Sequence, residues 1–238
     1  METHAKLEMY RDRIAEAKRR LDVIEAFLAG QVSAVYLPTT VESVYLQFRK
    51  VLELIVMASI SANDGATDVI AEERLRDWHA GDILKAIRKV NCSYYYPTPS
   101  RLHEGRSSLL PDAGGSYRGE IVDFDGDFLT EDRFQTLYDR ASEVIHTPNP
   151  FGRRPKAPDY ASLWSQADAW HRRIANLLSH HHFKLPGDKD SMYVCYLGSD
   201  GEFHLATFVR IADVNDVPEE LRAVGRTDSA NLGDDGNR

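Results

Sequence analysis

The chain has 238 residues, of which 42% are hydrophobic and 28% are charged, and its formal net charge at pH 7 is −8. These values are ordinary for a globular protein and argue against a largely disordered chain. They also argue against a protein that coats nucleic acid non-specifically, because that affinity depends on many lysines and arginines displacing phosphate counterions.

The N-terminal segment has no apolar run of the signal-peptide type. No window approaches the roughly 20 consecutive apolar residues that a membrane span requires. We therefore expect a cytoplasmic protein with no membrane association. The two cysteines, Cys92 and Cys195, lie far apart and form no CxxC pair, so we predict no disulfide framework and no zinc ribbon. Both are expected to be small, buried, apolar residues.

The first segment, residues 1–30, is predicted to be one amphipathic helix that ends at Gly30. Its apolar residues recur at alternating steps of three and four, which is the spacing of a seam packed against another helix. They are Leu7, Tyr10, Ile14, Ala17, Leu21, Ile24 and Leu28. The charged residues between them indicate a solvated outer face.

Residues 31–186 are predicted to form a helical core. Within it, residues 40–63 carry too many apolar side chains for a helix with one wet side, so this is the expected central helix. Arg49 and Glu53 lie four residues apart on that helix, and a structural ion pair is favoured over a catalytic role. A third helix is expected over residues 71–91. The proline- and glycine-containing stretch over residues 92–119 is predicted to be a long loop insertion.

Two more amphipathic helices are predicted in the core. The first begins near Thr130 and ends at or beside His146, because Pro148 disfavours helical geometry in the residue before it. The second repeats the same apolar pattern from Tyr160 to His181.

The C-terminal part changes from helical to strand periodicity. Residues 187–212 alternate between apolar and polar around a Gly-Ser-Asp-Gly turn, which predicts a β-hairpin packed on the helices. A short strand near residues 121–124 is a candidate third strand. Residues 213–238 carry seven acidic residues against three arginines and are predicted to be an acidic, flexible tail. The predicted fold class is therefore mainly α, a helical bundle with a small C-terminal antiparallel β-hairpin.

Five residues separate Arg140 from His146 at the end of the helix that begins near Thr130. Here the chain resembles the HEPN superfamily, compact helical bundles in which an Arg-x(4–6)-His motif marks the RNA-cleaving members. The resemblance covers roughly residues 40–63 and 130–185. At one position the chain differs, since many active members carry Asn, Asp or His directly after the arginine and this chain has Ala141.

The motif has a chemical interpretation as RNA cleavage. Histidine moves protons near neutral pH, and the negative end of the helix dipole attracts positive charge to His146. Arg140 can hold a phosphate through its planar fork of donors. The candidate substrate-binding residues that follow are Asn149, Arg153, Arg154 and Lys156. The resemblance thus implies a metal-independent endoribonuclease or RNA-binding protein with no cofactor, a symmetric homodimer, and a toxin or defence component that has an antitoxin or other protein partner.

A second interpretation treats Arg140 as a solvated helix residue and His146 as a helix-terminal histidine stabilised by the dipole. The chain is then a non-catalytic helical dimer that binds a protein or a nucleotide through the same groove. On a straight helix the two residues project roughly 120° apart, so they do not stack on one face.

Two further patterns are similar to metal sites. The run His180-His181-His182, with His171 upstream, contains common metal ligands, but a packed histidine on the apolar stripe is the favoured interpretation. Residues 123–127 are similar to a calcium loop, yet the glycine comes two positions early and Phe134 stands in place of the bidentate glutamate. We therefore predict no bound metal.

Overall fold

The computed structural model of the protein describes residues 3–63, 80–91, 96–102, 121–146, 158–188 and 191–209. Within these ranges the chain forms five helices and one five-stranded antiparallel sheet. In chain order the elements are α1 (Thr3–Leu28), α2 (Leu37–Ala62), α3 (Ala80–Val90), β1 (Thr98–Leu102), β2 (Ile121–Asp123), α4 (Glu131–Ile145), α5 (Tyr160–Ser179), β3 (His180–Phe183), β4 (Ser191–Leu197) and β5 (Phe203–Val209). Across the same ranges, no helix combines the length and hydrophobicity needed to cross a membrane.

The first two helices form a hairpin on which the other elements pack. The predicted seam of α1 is buried at Tyr10, Ile14, Ala17, Leu21 and Ile24, which confirms its helical spacing. α2 is the predicted central helix, because it contacts α1, α3, α4 and α5 and is buried along most of its length. Its apolar composition on all sides follows from this position.

The sheet has the strand order β2-β1-β3-β4-β5, and every neighbouring pair is antiparallel. β4 and β5 are the predicted hairpin, and β2 is the candidate third strand, although it pairs with β1 at the far edge. The prediction of a mainly α fold with a small hairpin is therefore correct for the helices. It underestimates the sheet, which has five strands instead of the two of a hairpin. The chain is a mixed α and β protein.

Two strands lie where other structures were expected. β1 occupies part of residues 92–119, which were predicted to be a loop, and β3 begins at His180, where α5 was expected to continue. β3 runs between β1 and β4, so hydrogen bonds to both neighbours satisfy its backbone. The apolar pattern of α5 continues through His181, but the helix ends at Ser179 because residues 180–183 pair with β1 and β4 instead.

The sheet is joined to the helices through a buried aromatic contact. The Tyr10 ring of α1 stacks on the Phe183 ring of β3, with 4.0 Å between ring centres. α5 packs against β1, β3 and β4, while α1 also contacts β5. Helices and sheet consequently share one hydrophobic core. Cys195 of β4 is fully buried in that core, as predicted, whereas Cys92 and the acidic tail lie outside the described residues.

Candidate functional site

α4 carries both residues of the Arg-x5-His motif. It begins after Thr130, whose hydroxyl accepts a hydrogen bond from the Arg133 backbone, and its first turn contains the acidic residues that a helix N-terminus favours. It ends at Ile145, and His146 has the extended angles φ −94° and ψ 131°. The predicted boundaries of this helix are confirmed.

Arg140 of α4 reaches across to a side chain of α5. Its Nη1 donates to Oε1 of Gln166 over 2.5 Å, and Gln166 in turn donates from Nε2 to the Ser162 carbonyl over 3.1 Å. The Tyr45 hydroxyl of α2 is close enough to interact with this positive charge. Burial raises the pKa of Tyr45 to about 12, and the Arg140 charge opposes that rise. Arg140 is thus half-buried and held in place by α5.

His146 is exposed at the C-terminal end of α4. Within the described part of the chain, no hydrogen bond or ion pair holds its imidazole. The ring is therefore accessible to solvent and to a ligand, as a residue that exchanges protons with a substrate must be.

Arg140 and His146 do not form one compact pair. The six-residue step turns them roughly 120° apart, and no hydrogen bond joins them in the described ranges. Ala141, the position where the resemblance expects a polar residue, is fully buried in the core. A larger or polar side chain there would have to displace packed apolar groups. The other predicted site residues, Asn149, Arg153, Arg154 and Lys156, lie outside the described residues.

Arg49 of α2 forms a second cationic contact with α4. Its Nη1 donates to Oγ of Ser142 over 2.6 Å, and its Nη2 donates to the Tyr138 hydroxyl over 3.2 Å. The guanidinium carbon also lies 4.8 Å from the centre of the Tyr138 ring, a cation–π distance. The predicted ion pair is present, since Nε of Arg49 lies 3.1 Å from Oε1 of Glu53. Arg49 therefore links α2 to α4 as well as pairing with Glu53 of its own helix.

The histidine run lies on β3, where His181 is fully buried. Its Nδ1 lies 3.1 Å from the Leu178 carbonyl, and its Nε2 lies 2.8 Å from the Tyr10 hydroxyl. Because a carbonyl only accepts, Nδ1 carries the hydrogen and Nε2 accepts from Tyr10. The predicted packing role of His181 is confirmed, but its predicted helical setting is wrong. Among the described residues, no three His, Cys, Asp or Glu side chains are arranged to hold a metal.

Burial lowers the pKa of His181 to about 3. An unfolded histidine titrates near about pH 6.5, so the unfolded state binds more protons than the folded state between these values. The contribution of His181 to the free energy of unfolding is therefore fully present above about pH 6.5, and it is lost as the pH falls toward 3. Between pH 7 and pH 5 we expect this group to lower the free energy of unfolding, from urea titrations, by up to about 1.4 kcal/mol per pH unit. His180 and His182, whose pKa values burial also lowers, add to the fall. His181→Gln should flatten this dependence and His171→Gln should not; an equally steep His181→Gln curve would contradict the assignment.

The acidic segment before α4 has a structural role. Asp127 accepts hydrogen bonds from Arg133 and from Arg173, whose Nε lies 2.8 Å away. The Asp127 carbonyl accepts from Nδ2 of Asn176 over 2.7 Å. The hydrogen bonds from Arg173 and Arg133 hold the pKa of Asp127 below its usual range. This cluster ties the segment before α4 to α5 and so fixes the start of the helix that carries the motif.

No family model matches this chain, and comparisons with curated proteins and with solved structures also give no match. The chemistry of the site is therefore derived from its side chains. An accessible imidazole at a helix end can transfer protons near neutral pH. The guanidinium groups of Arg140 and Arg49, both on or against the same helix, can hold a phosphate oxygen.

Proposed function

We propose that this chain is an HEPN-like, metal-independent endoribonuclease, with His146 in proton transfer and Arg140 on the phosphate. The observation that carries the proposal is the position of His146, an accessible imidazole at the end of the helix that also carries Arg140. The proposal includes a role as a toxin or defence component with a protein partner. It needs no cofactor, because proton transfer and charge stabilisation come from side chains.

The proposed reaction is an internal transesterification of RNA. The ribose 2′-oxygen attacks the adjacent phosphorus, the bond to the 5′-oxygen breaks, and the products end in a 2′,3′-cyclic phosphate and a 5′-hydroxyl. Protonated His146 gives its proton to the departing 5′-oxygen. Arg140 stabilises the negative charge that develops on the phosphate oxygens.

A homodimer fits this chemistry. The 2′-hydroxyl must lose a proton while the 5′-oxygen gains one, so the reaction uses a base as well as an acid. The same histidine of a second copy supplies that base when two motifs face each other. Sedimentation of the purified chain is expected to show a dimer.

The alternative is a non-catalytic dimer that binds a protein or a nucleotide. It is favoured by the hydrogen bond from Arg140 to Gln166, since a guanidinium that already has a partner is partly committed to structure. The turn between α1 and α2 also exposes apolar side chains, with Val35 96% and Tyr36 59% accessible. Exposed apolar and aromatic residues without charge are typical of protein-binding surfaces.

One experiment separates the two functions. The purified chain is incubated with single-stranded RNA of mixed sequence in excess chelator, alongside DNA of the same sequence. We expect RNA fragments with 2′,3′-cyclic phosphate ends and intact DNA, because DNA lacks the attacking 2′-hydroxyl. Intact RNA at high protein concentration would contradict the nuclease and favour the binding module.

A further inference from the structure

Ser142 lies on the same side of α4 as His146. The two are four residues apart, so their Cα atoms are separated by about 6 Å along one face. Arg140 faces α5 instead, where it bonds Gln166. Ser142 and Glu143 are therefore the helical neighbours of His146, and Ser142 is the one that bonds Arg49 of α2.

Ser142 fixes the guanidinium of Arg49 on this face. Its hydroxyl donates to the Tyr138 carbonyl over 2.7 Å, so its oxygen is left to accept from Nη1 of Arg49. The Tyr138 hydroxyl and ring hold the guanidinium from a second direction. Arg49 is thus oriented by α4 one helical turn before His146.

The guanidinium keeps donors for a ligand. Of its five N–H groups, three have partners among the described residues, in Glu53, Ser142 and Tyr138. Its side chain is 21% exposed, so part of it lies at the surface. Lys50 also lies 3.0 Å from Glu53, which leaves one net positive charge on the cluster of Arg49, Lys50 and Glu53.

We propose that Arg49 binds the phosphate on which His146 acts, with Ser142 as the residue that positions it. This inference rests on the RNA function proposed above and adds a residue that the Arg-x5-His spacing does not contain. Arg49 and His146 are separated by about one helical turn of α4. That spacing suits a phosphate that accepts a hydrogen bond of about 2.8 Å from each of the two side chains. Arg140, proposed above to stabilise the charge that develops on the phosphate, also joins α4 to α5 through Gln166.

A purely structural ion pair makes a different prediction. If Arg49 only joins α2 to α4, its loss lowers stability and leaves the number of RNA phosphate contacts unchanged. If it binds a phosphate, removing its charge makes the salt dependence of RNA binding less steep by about 0.7, the contribution of one phosphate contact on a single strand.

The test is fluorescence anisotropy with a labelled single-stranded RNA of mixed sequence, made with 2′-O-methyl riboses so that it is not cleaved. Dissociation constants are measured from 25 to about 200 mM KCl for wild type, Arg49→Gln, Arg49→Lys and Arg140→Gln. Arg172→Gln is the matched control, because Arg172 pairs with Asp168 and its side chain is 70% exposed. Thermal unfolding of each variant is recorded in parallel.

We expect Arg49→Gln to weaken binding about 10-fold at low salt and to reduce the salt slope by about 0.7, whereas Arg49→Lys keeps the slope. Arg172→Gln should match wild type, and Arg140→Gln should change the slope less than Arg49→Gln. An unchanged slope in Arg49→Gln overturns the inference even if the wild type cleaves RNA. A reduced slope, together with undiminished cleavage by His146→Ala, supports phosphate binding by Arg49 and rejects the proposed role of His146 in proton transfer. If the wild type neither binds nor cleaves RNA, both the proposed RNA function and the phosphate-binding role of Arg49 are rejected.

Discussion

Replacing His146 by alanine is expected to lower the rate of RNA cleavage by about 10²- to 10⁴-fold, the usual contribution of a positioned general acid or base. The side chain is exposed and has no partner among the described residues, so its removal should leave the fold intact. We expect the free energy of unfolding to stay within about 0.5 kcal/mol of wild type. Initial cleavage rates with a labelled RNA in chelator, together with urea titrations, measure both quantities.

His171→Ala is the control for this variant. His171 is a half-exposed histidine of α5, outside the motif. Its replacement should leave the cleavage rate within about threefold of wild type, which is less than 1 kcal/mol in the barrier. Equal rates for wild type and His146→Ala would mean that the imidazole takes no part in the reaction.

Replacing Tyr10 by phenylalanine is expected to lower the free energy of unfolding by about 1–3 kcal/mol, because it leaves Nε2 of His181 buried without a donor. The Tyr10 hydroxyl is the group that bonds this nitrogen, and both residues are almost completely buried. Tyr10→Ala should cost about 3–5 kcal/mol, since it also removes the ring that stacks on Phe183. Urea titrations at pH 7 measure each change.

Tyr160→Phe is the matched control, since its hydroxyl bonds Glu42 over 2.8 Å at a half-exposed position. That change should cost less than about 1 kcal/mol. The double variant Tyr10→Phe with His181→Leu should cost less than the two single changes added together, because no buried nitrogen is then left without a partner. Additive costs would contradict a direct bond between the two side chains.

Local periodicity predicted α1, α2 and α4, and it predicted α5 except for its C-terminal end. The seam of α1 and the ends of α4 follow from spacing, from the cap at Thr130 and from Pro148, all of which act within a few residues. The β4–β5 hairpin also has a local signal in its alternation and turn. These elements could therefore be predicted without knowledge of the whole fold.

The rest of the sheet depends on distant residues. Thr98 pairs with His182, more than eighty positions away, and no pattern within either strand encodes that contact. The side chains of the histidine run are compatible with a helix as well as a strand. The run is a strand in the structure because β1 and β4 pair with its backbone. Arg49 is a similar case in the candidate site. Its pairing with Glu53 was predicted from spacing, but its bond to Ser142 required α2 and α4 to be packed together.

The most direct test of the account is to observe the His146 imidazole by NMR while RNA is added. With histidine ring carbons labelled, resonances are assigned through His146→Ala and His171→Ala, and an uncleavable 2′-O-methyl RNA is titrated into the protein. We predict that the His146 ring signals move in proportion to the bound fraction while those of buried His181 stay in place. His146 signals that do not move at saturating RNA would contradict the claim that this imidazole meets a phosphodiester.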